Sequence, residues 1–325
     1  MQVFSSGAAD VNLRDAGERW PRERSRAAAA DKTGAKRVVN AMTVDVEDYF
    51  HVRAFAKVLD RRDWDSLPVR VEANTNRMLE IFADKGVSAT FFVLGWVAER
   101  YPEIVRSLAA AGHEIASHGY GHQNIDSQTP DEFRRDVRRA KGVLEDLGGK
   151  PVRGYRAPTF SINPKTWWAY DVLAEEGHVY SSSIYPIAHD LYGMPNAPRT
   201  PFQPTAMPLL EIPMTTVRYG TRNFPASGGG YFRLLPYRVS RSALARVNRK
   251  EGAPCIFYCH PWEIDPGQPR VAGAGLKSRL RHYTNLGVME RRISRLLGDF
   301  AWGRMDEIFL GAAVPGSTSQ APCPR

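Results

Sequence analysis

The chain has 325 residues, of which 43% are hydrophobic and 24% charged, an ordinary balance for a globular protein of one large or two smaller domains. Its 44 basic and 35 acidic side chains give a formal charge of +9. The basic residues are spread along the chain and no nucleic-acid-binding motif is present, so we expect no nucleic-acid partner. No apolar run approaches the roughly 18 residues of a transmembrane helix, so we predict no membrane span.

The amino-terminal residues and the cysteines bear on the setting of the protein. Residues 1–36 contain charges throughout, and Ala27–Ala30 is too short for the apolar core of a signal peptide, so we predict a disordered leader. The three cysteines cannot all pair within the chain, and Cys255 and Cys259, in one predicted strand, are too far apart to bridge. We therefore expect a reduced, cytoplasmic protein that could act at the inner face of the membrane.

Ordered structure is predicted to begin with Arg37–Val44, an apolar run that indicates a buried strand ending at the acidic cluster Asp45–Asp48. Val71–Lys85 has hydrophobic residues at helical spacing and stops at Gly86. The next predicted elements alternate in the same way: strand Ser88–Gly95, helix Pro102–Ala111, strand His113–His118, a helix after Thr129, strand Val152–Arg156 and helix Pro164–Glu176.

The second half of the chain continues this alternation with longer gaps. Gly228–Gly230 predicts a flexible loop that could act as a lid. A helix over Asn285–Phe300 carries apolar residues at helical spacing, and we expect it to pack against the rest of the domain. The other predicted elements are strands near Val179–Ile184, Leu209–Val217 and Cys255–Cys259, and a helix between Ser240 and Lys250.

Repeated β-then-α units predict an α/β fold with a parallel sheet, and about seven such units favour a distorted (β/α)7-type barrel over a doubly wound sheet. We assign residues 37–268 to this catalytic barrel. Residues 269–325 are predicted to be a helical C-terminal extension that packs on the barrel and is disordered at its end. In parallel barrels the functional residues lie at the carboxyl ends of strands. Four polar groups fall at predicted strand ends: Asp45–Asp48, His118–His122, Arg156 and His260.

Two of these groups carry the residue types of a metal site. His118 and His122 lie four residues apart after a predicted strand, and the glycines at 119 and 121 permit a tight bend. Such a pair can reach one metal ion, although this spacing also occurs by chance on protein surfaces. The cluster Asp45–Asp48 supplies three carboxylates in four residues, which repel one another unless a cation or partner relieves them. A solvated turn with Asp48 as a helix N-cap is the alternative explanation.

Two histidines and one carboxylate with open positions suit a catalytic divalent metal, first of all Zn²⁺, with Co²⁺ or Fe²⁺ as alternatives. Such a metal lowers the pKa of bound water and polarises a carbonyl group. A second carboxylate can then accept the proton of the water, and a separate histidine can protonate the leaving group. His260 ends an apolar strand and is followed by proline, so it is our candidate for that histidine. A satisfied core histidine is the other explanation.

The motifs resemble, in order and spacing, those of the polysaccharide deacetylases of carbohydrate esterase family four, which carry the NodB homology domain. Thr43–Asp48 resembles the first motif, and Ser117–His122 is similar to the metal-binding His-Ser/Gly-x-x-His element. Arg156–Pro158 resembles the Arg-x-Pro motif of the groove wall, and His260 stands in the place of the late Leu-x-His motif. The resemblance covers about residues 37–265 and implies a barrel of about seven strands that acts on N-acetylated sugars.

Two departures from the family pattern matter. The family has adjacent aspartates, base then metal ligand, whereas a valine follows Asp45 here. Strand alternation favours Glu47 as the carboxylate ligand and a bend after the strand favours Asp48, so the sequence leaves this choice open. The aspartate that the family often has ahead of the serines of its fourth motif is absent from Tyr180–Ser183. Any tuning of the pKa of His260 must therefore come from elsewhere.

The resemblance also implies the remaining roles. Asp45 would deprotonate the attacking water, and Arg156 would orient Asp45 through a charge-assisted bond. His260 would protonate the departing amine, while a backbone N–H near Thr159 would help to hold the oxyanion. The candidate substrate-binding residues are Pro158, Thr159, Tyr120 and Trp262.

The forms Val44–His51 and Phe257–Glu263, with the appended helical tail, resemble a subgroup associated with exosortase and exopolysaccharide loci in Gram-negative bacteria. The expected substrate is therefore an N-acetylated exopolysaccharide or its precursor. Two alternatives stay open: an amidohydrolase that acts on a small ureide or cyclic amide, and a non-catalytic polysaccharide-binding component of an export complex. The joint presence of the candidate base, acid and ligands argues against the second alternative.

Overall fold

The computed structural model of the protein describes residues 38–311. The predicted disordered leader, the end of the predicted C-terminal extension and Cys323 lie outside these residues. The strands are β1 Val39–Val46, β2 Thr90–Val93, β3 Glu114–Ser117, β4 Gly154–Tyr155, β5 Tyr180–Ser181, β6 Leu210–Glu211, β7 Thr216–Tyr219, β8 Arg222–Pro225, β9 Ile256–Cys259 and β10 Ala301–Gly303. The α-helices are α1 Val71–Lys85, α2 Gly95–Arg100, α3 Pro102–Ala110, α4 Pro130–Gly148, α5 Ala169–Glu175, α6 Gly229–Leu234, α7 Tyr237–Arg246, α8 Leu276–Tyr283 and α9 Leu286–Asp299.

The fold is a curled, parallel eight-stranded sheet surrounded by helices, which confirms the predicted distorted barrel. The strands follow the order β10-β1-β2-β3-β4-β5-β6, and β9 pairs with β1. Within residues 38–311 no ladder joins β6 to β9, so the barrel is open there. The backbone N–H of Ile256 donates instead to the Thr215 hydroxyl at 2.7 Å, which satisfies one donor of the unpaired edge.

Burial explains why the strands read as continuous apolar runs. Seven of the eight β1 residues are buried, and so are all four residues of β2 and of β9. A parallel sheet is covered on both faces, so its strands lose the alternation of polar and apolar residues that antiparallel strands show. The helices begin and end where local chemistry predicts: Thr129 and Glu132 form a capping box before α4, and Gly86 ends α1 at φ 60°.

Several predicted elements differ from those observed. The segment predicted as one strand over Leu209–Val217 divides into β6 and the first strand of an antiparallel hairpin, β7–β8. The predicted extension contributes α8 and α9, and it also supplies β10, which pairs with the start of β1. The extension is thus not only helical, and this part of it is a strand of the barrel sheet.

The predicted flexible loop at Gly228–Gly230 is wrong, because α6 begins there. Gly228 precedes the helix at φ 102°, and a Cβ added to Gly229 would lie 1.6 Å from a carboxylate oxygen of Glu263. These glycines therefore allow close packing instead of providing a hinge.

The structure bears on two earlier expectations, one about a membrane span and one about the cysteines. Among the described residues, no helix combines the length and hydrophobicity that a bilayer crossing requires. Cys255 and Cys259 are both buried and unbridged, in keeping with their spacing along one strand.

Candidate active site

The candidate site lies at the carboxyl ends of β1, β3 and β9 and in the loop after β4, where the predicted polar clusters meet. Asp45 and Glu47 project from the end of β1, while His118 and His122 follow β3. Because parallel strands end at the same edge of the barrel, residues far apart in sequence reach one cavity.

Glu47, His118 and His122 form the one group of at least three potential metal ligands found among residues 38–311. One ligand atom from each lies within 4.8 Å of the other two. A Glu47 carboxylate oxygen is 2.9 Å from Nε2 of His122, and both side chains are almost fully buried. Proximity to the three imidazoles of His122, His260 and His118 lowers the pKa of Glu47 although burial opposes ionisation.

The tautomer of His118 is defined by its neighbour. Its Nδ1 lies 2.8 Å from the backbone carbonyl of Arg156. A carbonyl oxygen can only accept, so Nδ1 must donate and Nε2 keeps a free lone pair. Burial lowers the pKa of His118 to about 4, which keeps the ring neutral at physiological pH, the form in which imidazole binds a metal.

The loop that carries the two histidines is positioned by a residue that sequence reasoning missed. Asp136, on α4, accepts a hydrogen bond from the backbone N–H of Tyr120 at 2.8 Å. Gly119 has φ 74°, and His122 itself has φ 51°. A positive φ is uncommon in residues other than glycine and is found where the surrounding structure enforces it, often at functional sites. Sequence reasoning missed Asp136 because nothing in the sequence of the helix around it indicates that its side chain binds this loop.

Asp48 is not a member of the ligand cluster, and of the two carboxylates that the sequence left open the structure places Glu47 beside the two histidines. The Asp48 carboxylate accepts hydrogen bonds from the backbone N–H groups of Tyr49 at 2.8 Å, Arg70 at 2.6 Å and Val71 at 2.8 Å. Burial nevertheless raises its pKa to about 6. Stability linked to its protonation is therefore present at acid pH and is lost as the pH rises through about 6.

We expect Asp48→Ala to lower the free energy of unfolding by about 2–4 kcal/mol, because two buried N–H groups and one half-buried N–H group lose their acceptor. Its metal content should not change. Glu47→Gln should weaken metal binding by more than the roughly 10-fold to 100-fold that the loss of a residue supporting a ligand costs, since it removes a ligand charge while the protein stays folded. Urea unfolding and metal stoichiometry after dialysis measure both effects. A folded Asp48→Ala protein that loses its metal would contradict the assignment.

Arg156 is completely buried and holds the candidate base. One Nη donates to Asp45 at 2.6 Å and to the Thr43 hydroxyl at 2.9 Å. Its Nε donates to the carbonyl of Ser182 at 3.1 Å, and the guanidinium lies 4.0 Å from the centroid of the Phe92 ring. These contacts fix the plane of the guanidinium and thereby the orientation of the Asp45 carboxylate.

His260 faces the same group from β9. Its Nε2 lies 3.4 Å from Glu47 and 3.9 Å from Asp45, and its Nδ1 lies 3.5 Å from Glu263. Burial opposes protonation of His260, but the carboxylates of Glu47, Glu263 and Asp45 together raise its pKa to about 9. A protonated His260 is able to donate a proton from Nε2 into the site.

Glu263 places a carboxylate next to His260. The aspartate that the family often has in its fourth motif is absent from Tyr180–Ser183. One oxygen of Glu263 accepts from Nε of the buried Arg233 at 3.1 Å, and the other accepts from the backbone N–H of His260 at 3.1 Å. Burial opposes its ionisation, but Arg233 and His260 outweigh that effect and lower the pKa of Glu263. The sequence placed Glu263 in the motif of His260 but gave no sign that Arg233 would reach it.

The predicted substrate-binding residues divide into two groups. Trp262 and Thr159 line the cavity; Trp262 stacks on His260 with ring centroids 5.2 Å apart, and Thr159 has φ 56°. Pro158 is buried and is not among the described residues that line the cavity. Tyr120 points away from it, because its hydroxyl donates to Glu99 at 2.7 Å. The structure therefore does not bring Tyr120 to the site.

A cavity of about 330 Å³ opens over these groups. Its polar floor holds the candidate base, acid and metal ligands, while most of its walls are aromatic or aliphatic. Other residues that line it include Val52, Arg53, Phe160, Leu191, Tyr192, Tyr231, Leu234, Tyr258, Arg281 and His282. Fold and site together define an α/β barrel with a buried candidate metal and acid–base centre at the carboxyl ends of its strands.

Comparison with known families identifies this class more closely. Residues 63–174 match the family model described as polysaccharide deacetylase, and residues 182–310 match a domain of unknown function, DUF3473. The chain therefore carries a polysaccharide deacetylase domain over residues 63–174. The second match covers the elements that complete the sheet and form much of the cavity wall.

Curated relatives match only part of this chain. A peptidoglycan-N-acetylglucosamine deacetylase of Bacillus cereus is 36% identical over 84 residues, which are 26% of this chain and 30% of the relative. A chitooligosaccharide deacetylase of Azorhizobium caulinodans is 34% identical over 85 residues, 26% of this chain and 40% of the relative. The match thus spans less than half the length of these relatives.

A solved structure shares the fold over most of the chain. The crystal structure of a protein assigned as a polysaccharide deacetylase from Mycobacterium smegmatis superimposes with a TM-score of 0.54 at 23% identity. The match covers 85% of this chain and 91% of that one. At this identity the likeness establishes the common barrel architecture.

Proposed function

We propose that this protein is a metal-dependent deacetylase that removes N-acetyl groups from N-acetylhexosamine units of a polysaccharide or its precursor. The observation that carries the proposal is the placement of Glu47, His118 and His122 beside two further groups, Asp45 and His260, in one buried cavity. The relatives named for peptidoglycan N-acetylglucosamine and chitooligosaccharides support a substrate with acetylated glucosamine units.

The ligand cluster fits a divalent cation. It offers two imidazoles and one carboxylate, and the hydrogen bond at Nδ1 of His118 leaves Nε2 free to bind. A bound Zn²⁺, or Co²⁺ or Fe²⁺, would lower the pKa of a water molecule and polarise the amide carbonyl of the substrate.

The residues around the cluster supply the proton transfers. Asp45, held by Arg156, accepts the proton of the attacking water. A backbone N–H near Thr159, within the turn Pro158–Phe160, would donate a hydrogen bond to the developing oxyanion. His260 then donates a proton from Nε2 to the departing amine, and its partner Glu263 stabilises the protonated ring. The products are acetate and a free amino sugar.

We further propose that the polymer is an exopolysaccharide. This proposal rests on the forms Val44–His51 and Phe257–Glu263 and on the presence of the C-terminal elements. Profiling N-acetylated exopolysaccharide fragments beside chitin oligomers would rank these substrates by kcat/KM.

Acetate release from N-acetylglucosamine oligomers tests the proposed activity. We expect release by the metal-loaded protein, loss of activity after treatment with a chelator, and recovery when Zn²⁺ is returned. Circular dichroism before and after chelation serves as the control for folding. If folded, metal-loaded protein releases no acetate from any acetylated oligosaccharide but hydrolyses a small ureide, the amidohydrolase alternative replaces the proposal. Binding of polysaccharide without hydrolysis would favour the non-catalytic alternative.

A further inference from the structure

Exposed aliphatic side chains lie at the cavity mouth and on the segments next to it. We define the apolar rim as Val58, Leu191, Leu234, Leu276 and Leu280. These residues are 40%, 40%, 49%, 73% and 58% exposed, respectively. They are five of the nine large hydrophobic residues that are exposed among residues 38–311. Single exposed aliphatic residues are ordinary on protein surfaces. A cluster of them next to one opening indicates a surface that binds another molecule or a membrane.

Contacts between the supporting segments place the apolar rim in one region. Leu191 and Leu234 line the cavity itself. The segment before Val58 packs on α8, because the rings of Phe55 and His282 lie 4.6 Å apart. The ends of α6 and α8 are tied by Arg233, which donates to the carbonyl of His282 at 2.9 Å.

The helix α8 presents leucines and basic residues side by side. Leu276 and Leu280 are one turn apart and therefore share a face of the helix. The adjacent face carries Lys277 and Arg281, which bind the carboxylate of Asp190 at 2.6 and 2.9 Å. This contact fixes α8 against the loop that carries Leu191, so that the two leucines stay directed to solvent.

Basic residues extend from the apolar rim along a neighbouring groove of about 1240 Å³. Arg53 lines both the cavity and the groove, and Lys57 lines the groove. Within residues 38–311, neither side chain has a carboxylate oxygen within 4.0 Å. The acidic Asp60 of the same groove is already paired with Arg62 at 2.7 Å. The surface next to the mouth thus combines aliphatic side chains with an excess of basic ones, because Arg53 and Lys57 outnumber Asp126, the carboxylate that lines the groove without an ion pair among residues 38–311.

We propose that the apolar rim and its basic surroundings dock on an anionic lipid bilayer, with the cavity mouth turned toward the membrane. Leucines that enter the boundary between headgroups and acyl chains, flanked by lysines and arginines, are the features of interfacial helices. Each basic residue near an anionic surface strengthens binding by roughly fivefold at physiological salt. Glycans are recognised through aromatic faces and hydrogen bonds, so a glycan partner would leave Leu276 and Leu280 without a role.

Vesicle binding tests this inference without any substrate, so its outcome is separate from that of the proposed activity. Full-length protein is sedimented with vesicles of phosphatidylcholine that contain phosphatidylglycerol, and with vesicles of phosphatidylcholine alone. We expect binding to the anionic vesicles, weakened by high salt. The double variant Leu276→Ser/Leu280→Ser should bind roughly tenfold more weakly or worse. Both residues are exposed and neither lines the cavity, so fold and acetate release from soluble oligomers should be retained.

The hairpin β7–β8 provides the matched control. Tyr219 and Phe224 are 55% and 47% exposed, and their rings lie 6.0 Å apart, away from the cavity. Tyr219→Ser/Phe224→Ser should therefore leave vesicle binding unchanged. Loss of binding in this variant, full binding by the leucine variant, or equal binding to neutral vesicles would each overturn the proposal. As a second measurement, tryptophan emission of Leu280→Trp should shift to the blue with anionic vesicles, and an unchanged spectrum would count against it.

Discussion

Asp45→Asn is expected to lower kcat for acetate release by roughly 10²-fold to 10⁴-fold, the range that a positioned general base contributes. An amide cannot accept the proton of the attacking water, while it is the same size as the carboxylate. Its oxygen can still accept the hydrogen bond that Arg156 donates at 2.6 Å. The loss should therefore appear in kcat, with KM little changed, because the base acts in the transition state and not in substrate binding.

Metal content separates this effect from damage to the ligand cluster. Asp45 is not a member of the cluster Glu47, His118 and His122, so Asp45→Asn should retain its metal. His118→Ala should instead lose both metal and activity. Single-turnover kinetics of metal-loaded Asp45→Asn provide the measurement. An unchanged chemical rate in that variant would remove Asp45 from the role of base.

Much of the barrel could be predicted because its elements have local signals. The helix over Val71–Lys85 is observed with those bounds, since its hydrophobic spacing and the glycine at 86 act within a few residues. The four polar clusters meet because carboxyl ends of parallel strands share one edge, which is a property of the fold class. Order along the chain was therefore enough to predict proximity in space.

Local sequence patterns could not decide whether Glu47 or Asp48 joins the two histidines. Alternation along β1 pointed to Glu47, but a bend after the strand was equally compatible with the sequence. What engages Asp48 is the backbone of Arg70 and Val71, more than 20 residues away, at the start of α1. A backbone N–H is present in almost every residue, so the sequence carries no mark of this contact.

Other parts of the site depend on partners that are still more remote in sequence. The strand β10 pairs with β1 across more than 250 residues, and its three residues carry too short a pattern to be recognised. Arg233 reaches Glu263 because α6 begins at tightly packed glycines, which by themselves suggested a flexible loop. Small residues predict either mobility or close approach, and only the surrounding packing decides between them.

The second large effect is expected when the buried ion pair of Glu263 and Arg233 is broken. Glu263→Gln is expected to lower the free energy of unfolding by about 2–3 kcal/mol, because the buried guanidinium loses its charged partner. The loss stays below that of a fully stranded charge, since Arg233 also donates to carbonyl groups of residues 281, 282 and 284. Urea unfolding measures this change.

The same substitution should lower kcat by roughly 10-fold to 100-fold, the usual effect of losing a residue that orients a functional side chain. Glu263 acts as a positioning residue: it contacts Nδ1 of His260 and so directs Nε2 toward the substrate. Asp265→Asn is the control, because Asp265 also pairs with an arginine, the more exposed Arg70, at 2.8 Å and does not line the cavity. It should lose stability with kcat unchanged. Equal losses of kcat in the two variants would mean that Glu263 has a structural role alone. A loss of kcat confined to Glu263→Gln, with KM preserved, would mean that Glu263 acts on proton donation by His260.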